Sequence, residues 1–239
     1  MNFFLFETGL HKIDLFETRL LDMPVRKITA GYCNVTSRLP SRKLGRMVDA
    51  ESTLERDFFL LLEYEDNVAW YEEQPLSIDF DHNKRSKTYT PDALVLRRSQ
   101  EGEFYTLYEI KPRSELFKNW KKLKPKLKAA IKKCASEGWK FKIVTEVEIR
   151  SQYLKNIEFI ELFKQTSSPC EDALRITLAD TLEELGTATP EELISATFHN
   201  FSNRAEALPV MWRMIGDGSI KTDLTKQLNM KSPIWNGDS

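Results

Sequence analysis

Two short stretches decide how this chain folds: Tyr89-Thr90-Pro91-Asp92 and Tyr108-Glu109-Ile110-Lys111. Between them lie Ala93 to Leu96, an unbroken apolar run that reads as a buried strand, and the turn signal Gln100-Glu101-Gly102. Phe104 to Lys111 is then the returning strand of a hairpin. Alternate residues of a strand share a face, so Glu109 and Lys111 project together while Ile110 points into the core. Asp92 opens the preceding strand, and the hairpin brings it beside Glu109. Two carboxylates held together repel, which is tolerable when a divalent cation sits between them. Oxygen donors with no His or Cys nearby suit Mg²⁺ or Mn²⁺ rather than zinc. A lysine alongside can stabilise a developing anion or position an attacking water. Taken alone, Glu109-Ile110-Lys111 has a plainer account as a cross-strand salt bridge. It is the sole Glu/Asp-x-Lys triplet of the chain, and its place at a strand end, after Pro91-Asp92, favours the chemical account.

Upstream, Ser52 to about Glu65 is helical in pattern, with Leu54, Phe58, Leu61 and Leu62 in one stripe and Ser52 or Asp49 as N-cap. Glu55 is a third candidate acid. Ser52-Thr53-Leu54-Glu55 also fits a capping box, in which the glutamate merely reaches back to the cap backbone N–H. Against that, Glu55 lies at the edge of the apolar stripe, one turn before Phe59, and so faces the sheet. Leu76, Ile78 and Phe80 alternate ahead of the turn Asp81-His82-Asn83. Downstream, a basic amphipathic helix carries Trp120, Leu123, Leu127, Ile131 and Cys134 on one stripe, with Pro125 at a start or kink and Gly138 at its end. Phe141 to Thr145 returns as a strand. Helix, antiparallel meander, helix and strand make an α/β domain with a mixed sheet.

At 239 residues, 41% hydrophobic and 30% charged, the chain has material for one large or two unequal folded domains. No run approaches the roughly 18 apolar residues of a membrane span. Met1 to Phe6 is apolar but lacks the basic flank of a signal peptide. Cys33, Cys134 and Cys170 are too scattered for a disulfide framework or a zinc site, so a bacterial-type reducing cytoplasm is expected. The net charge of −1 hides a strong asymmetry. Arg26–Arg46 holds no acid, and Lys118–Lys133 is dense in lysine, as expected of phosphate-neutralising surface or, more plainly, of a solvated helix face. Residues from Glu171 onward are acidic by about five charges, which suits a protein partner. There, Asp172–Leu185 and Arg204–Ile215 read as helices stopped by Gly186 and Gly216, and Thr189-Pro190-Glu191-Glu192 opens a third. Ser219–Thr222 and Pro233–Trp235 form a small wing, giving a winged-helix-like plan. Trp212 and Trp235 are either interface anchors or core. The expected organisation is a basic arm over 1–48 with a short helix near Lys12–Leu21, a catalytic domain over 49–167, and a C-terminal domain over 168–239.

Ser52-Thr53-Leu54-Glu55-Arg56-Asp57-Phe58, Tyr71-Glu72-Glu73-Gln74-Pro75, Tyr89-Thr90-Pro91-Asp92 and Glu109-Ile110-Lys111-Pro112 together resemble the TnsA endonucleases of Tn7-type transposons, some of them CRISPR-guided. Val144-Thr145-Glu146, Ile149-Arg150, Asn156-Ile157 and Ile215-Gly216-Asp217-Gly218 continue the likeness. The resemblance implies a restriction-endonuclease-like PD-(D/E)xK core joined to a winged-helix-like C-terminal domain. It implies Glu55, Asp92 and Glu109 as catalytic metal-binding acids, the Ile110 backbone carbonyl as a further ligand, and Lys111 as the catalytic lysine, with one or two Mg²⁺ or Mn²⁺ ions. Its task would be cleavage at the transposon 5′ ends, in a heteromeric transposase with a TnsB-like subunit. The C-terminal domain would contact a TnsC-like AAA+ ATPase regulator. Two other readings remain on the residues alone: a stand-alone restriction or repair nuclease of the same fold, and a non-catalytic assembly adaptor.

Overall fold

A computed structural model describes residues 37–83, 85–164 and 169–237. The helix expected near Lys12–Leu21 lies outside them. The chain divides after Glu146 into two compact units. No helix of the described residues is long and apolar enough to cross a membrane.

The first unit opens with a hairpin, β1 (Ser37–Ser41) and β2 (Arg46–Ala50), where the sequence suggested only an irregular arm up to Val48. The basic residues of this segment are structurally committed. Arg46 makes two 2.6 Å bonds to the Glu73 carboxylate, Arg38 pairs with Asp49, and the Lys43 ammonium donates to the Glu65 and Val68 carbonyls. Helix α1 (Thr53–Tyr64) follows, with the Ser52 hydroxyl accepting the Glu55 N–H as its cap. Then come β3 (Val68–Glu73), β4 (Ile78–His82), β5 (Arg85–Tyr89), β6 (Ala93–Ser99) and β7 (Gly102–Ile110). Helix α2 (Arg113–Glu137) keeps Pro125 within it and ends on Gly138, whose φ of +73° places it in the left-handed region that glycine favours. Strand β8 (Lys140–Val144) closes the unit.

The sheet order is β3-β6-β7-β8, antiparallel except for the parallel β7–β8 pair, so it is mixed as expected. A separate β4–β5 hairpin stands beside it. Alternation along the strands assigns each face a helix. Phe58 of α1 meets Tyr108, and Phe59 stacks on Tyr71. On the opposite parity, Leu94 and Leu107 pack with Ala130 and Cys134 of α2. The stripe of α2 that is buried runs Leu123, Leu127, Ala130 and Cys134. Trp120 and Ile131, expected on that stripe, are about half exposed at its flanks.

The second unit contains α3 (Glu146–Ile149, whose first residue still belongs to the first unit), α4 (Gln152–Glu161), α5 (Glu171–Leu185), β9 (Thr187–Ala188), α6 (Pro190–Thr197), α7 (Phe201–Asp217), β10 (Ile220–Thr222) and β11 (Ile234–Asn236). The short strands pair antiparallel in the order β10-β11-β9. Thr189 and Glu192 form the reciprocal cap that opens α6. Helix α7 continues through Gly216, expected as its stop, and is capped by Gly218 at φ +86°. Trp212 is core rather than an anchor: it is buried against Phe159 and Phe163. Those rings, together with Asn156, explain why the boundary falls earlier than 167/168. The Asn156 amide donates to the Leu224 and Lys226 carbonyls and accepts the Leu228 N–H, tying α4 to the β10–β11 connection.

Candidate metal-dependent nuclease site

The ends of β6 and β7 carry the acids. Asp92 precedes β6, and its backbone N–H donates to the Tyr108 carbonyl, fixing it against β7. Glu109 and Lys111 share parity with Leu107 and therefore lie on the α2 face. The Lys111 ammonium is the centre of the cluster. It lies 3.3 Å from Asp92 Oδ2, 3.6 Å from Glu109 Oε1 and 3.1 Å from the Ile110 carbonyl. Asp92 Oδ2 also accepts the Ile110 N–H at 2.5 Å. Three of the oxygens anticipated from the sequence thus already surround one cation.

Glu109 is buried, at 1% exposure, and both of its oxygens are engaged. The Tyr89 hydroxyl donates to Oε2, and the Lys126 ammonium donates to Oε1 at 2.8 Å. Lys126 also stands 4.5 Å above the centre of the Tyr89 ring. Sequence reasoning missed both residues. Tyr89 sits within the Tyr89–Asp92 motif, but Lys126 is one lysine among many on α2, and only helix-on-sheet packing selects it. Gln74 was also missed as a special position. It is buried, takes φ +47°, leaves its side-chain carbonyl unpaired, and donates its backbone N–H to the Asp92 carbonyl. Strain of this kind in a non-glycine residue gathers near functional sites.

Glu55 approaches from α1, on the other helical layer. Its carboxylate accepts the Glu51 N–H at 2.8 Å and the Ser52 hydroxyl at 2.9 Å, so it does organise the start of its helix. It reaches one residue beyond the cap N–H of the expected box. Its charge nonetheless acts on both Asp92 and Lys111. Direct contact therefore joins Asp92, Glu109, Lys111 and Ile110, and Glu55 reaches them through its field. Among the described residues, no three His, Cys, Asp or Glu side chains stand close enough together to hold a metal ion.

The electrostatics show a cluster short of positive charge. Burial, and then the charge of Glu109, pushes the Asp92 carboxyl up to about 7, with Lys111 opposing and Glu55 adding. Burial alone would lower the Lys111 ammonium, but Asp92, Glu109 and Glu55 together hold it above the ordinary lysine value. Burial also raises Glu55, against the bonds from Glu51 and Ser52. Two carboxylates and a carbonyl converging where a cation already sits are a donor set that fits a hard divalent ion retaining several waters.

Residues 65–146 match the family model described as the TnsA-like endonuclease N terminal. The match covers about a third of the chain, contains Asp92, Glu109, Lys111, Tyr89 and Lys126, and ends at the residue after which the structure divides. The chain therefore carries a TnsA-like endonuclease domain. No curated protein matches the sequence.

Proposed function

We propose that the protein is the nuclease subunit of a Tn7-type heteromeric transposase, hydrolysing one phosphodiester at each transposon 5′ end. The observation that carries this is the convergence of Asp92, Glu109 and the Ile110 carbonyl on Lys111 within a TnsA-like endonuclease domain. Asp92 Oδ2, Glu109 Oε1 and the Ile110 carbonyl would hold Mg²⁺ or Mn²⁺, with Glu55 as an outer acid that becomes a ligand only by releasing Glu51 and Ser52. When bound, such an ion supplies charge neutralisation at the scissile phosphate and a lowered pKa for water. Lys111 stays protonated among the acids and places its ammonium where the phosphorane charge develops. Glu109, sealed from solvent and fixed by Tyr89, holds its orientation without reorganising.

The likeness to a PD-(D/E)xK core rests on the acid, acid-x-lysine order across β6 and β7 and on the mixed sheet with a helix on each face. The winged-helix-like reading of the second unit rests on its helix-strand-helix-helix-hairpin order. Lys124, Lys128 and Lys132, exposed along α2, would line the DNA path. The acidic second unit would dock the TnsC-like regulator, and a TnsB-like partner would process the 3′ ends.

Asp92→Ala or Lys111→Ala in a transposition assay tests the assignment. With 5′ cleavage lost and 3′ joining retained, products should shift from simple insertions to cointegrates. An unchanged yield of simple insertions overturns the catalytic roles.

A further inference from the structure

Lys126 has no role in the chemistry proposed above, yet it forms the shortest ammonium contact to the most buried acid of the site. The two Glu109 oxygens are differentiated. Oε2 is held by the Tyr89 hydroxyl, so Oε1 is left as the oxygen directed at the Lys111 ammonium and, around it, Asp92 and Ile110. Lys126 occupies that same Oε1. The oxygen a divalent ion needs is therefore already taken by a monovalent cation.

The rest of its environment makes that contact reversible. The Lys126 side chain is 19% exposed, whereas its partner is sealed, so the ammonium has a route to water that the carboxylate lacks. Its ring contact with Tyr89 is the other interaction that holds it, and Tyr89 keeps its own bond to Glu109 when the lysine leaves. The flexible four-carbon stem, on a helix turn between exposed Lys124 and Lys128, lets the head swing outward without moving the backbone.

We propose that Lys126 is a displaceable counter-cation: it neutralises Glu109 while the site lacks a divalent ion, and it must leave Glu109 Oε1 for such an ion to bind. The proposal rests on the metal-site assignment made above. It makes Lys126 a residue that sets the threshold of metal loading, and its removal should strengthen metal binding rather than weaken it. A purely structural clamp gives the opposite sign, because losing it loosens Glu109.

The test is calorimetric titration of Mn²⁺ into the metal-stripped full chain, with the Mn²⁺-induced rise in Tm as a second readout. Lys126→Met should bind Mn²⁺ about tenfold or more tighter than the parent, as expected for removal of a competing charge beside a carboxylate. Its Tm should also rise more on saturation. Lys142→Met, exposed on β8 and on the sheet face opposite Glu109, should match the parent. If Lys126→Met does not fold, Lys126→Gln keeps the polar head without the charge and should show the same direction. Equal or weaker Mn²⁺ binding by the folded Lys126 variants overturns the proposal. In that case, Mn²⁺ binding by the parent that is lost in Asp92→Asn leaves the site assignment standing. Absence of Mn²⁺ binding by parent and variants alike overturns both.

Discussion

Glu63 gathers four donors on one carboxylate: the hydroxyls of Ser41 and Tyr71 and the backbone N–H groups of Arg42 and Lys43. Burial opposes its charge, but these bonds outweigh burial and hold the carboxyl below its usual value. A folded-state value below the unfolded one contributes stability above the unfolded value of about 4.3, and that contribution is lost as pH falls through the folded value. Glu63→Ala should therefore cost about 1–3 kcal/mol near neutrality, chiefly by orphaning the donors of buried Ser41 and Tyr71. Its cost should be smaller in strong acid than near neutrality, because the parent loses the same charge once pH has fallen through the lowered folded-state value. Urea unfolding at the two pH values checks this, and an equal cost at both contradicts it. At this scale the sequence was readable where local geometry suffices. Strand alternation alone places Glu109 and Lys111 together, and a hairpin places Asp92. Lys126 was unreadable because its contact depends on how α2 seats on the sheet, which no local pattern encodes.

Elements were legible in proportion to their own periodicity. Helix α1, the β6–β7 hairpin and the α6 cap follow from apolar spacing and from capping chemistry. Strand β5 is polar and exposed over four of its five residues, and β1 and β2 mix polar with apolar residues over five positions each, so alternation gives them little signal, and they form because they find a partner strand. Helix α7 passes Gly216 because buried Met211, Trp212, Met214 and Ile215 outweigh the roughly 1 kcal/mol that a helical glycine costs. Charge was misleading in one respect: Arg38, Lys43 and Arg46 are engaged by Asp49, by the Glu65 and Val68 carbonyls and by Glu73 within the first unit, which leaves α2 as the stronger candidate for binding phosphate. Lys124, Lys128 and Lys132 recur at one-turn spacing and stay exposed. Replacing all three with Gln should weaken DNA association and lower its salt slope by about one unit for each phosphate no longer neutralised. An unchanged slope in a salt titration assigns them to solvent.

For the molecule as a whole, the early boundary has a direct consequence. The sequence places the boundary between 167 and 168, but Asn156, Phe159 and Phe163 bind within the second unit through contacts distant in sequence. A fragment starting at residue 147 should melt cooperatively, while one starting at residue 168 should not, because it exposes Trp212 and unpins the β10–β11 connection. Circular dichroism melts decide this, and equal cooperativity in both fragments contradicts it. The family match likewise stops at Glu146, in keeping with a first unit that carries the nuclease elements. The most direct measurement of the central claim is strand-specific nicking of transposon-end DNA by the full chain with its partner transposase, with and without Mg²⁺. The expected result is 5′-strand cleavage that requires Mg²⁺ and disappears in both Asp92→Ala and Lys111→Ala, while 3′-strand cleavage persists. Cleavage of the 5′ strand at the parent rate in either variant, or in the presence of excess chelator, contradicts it.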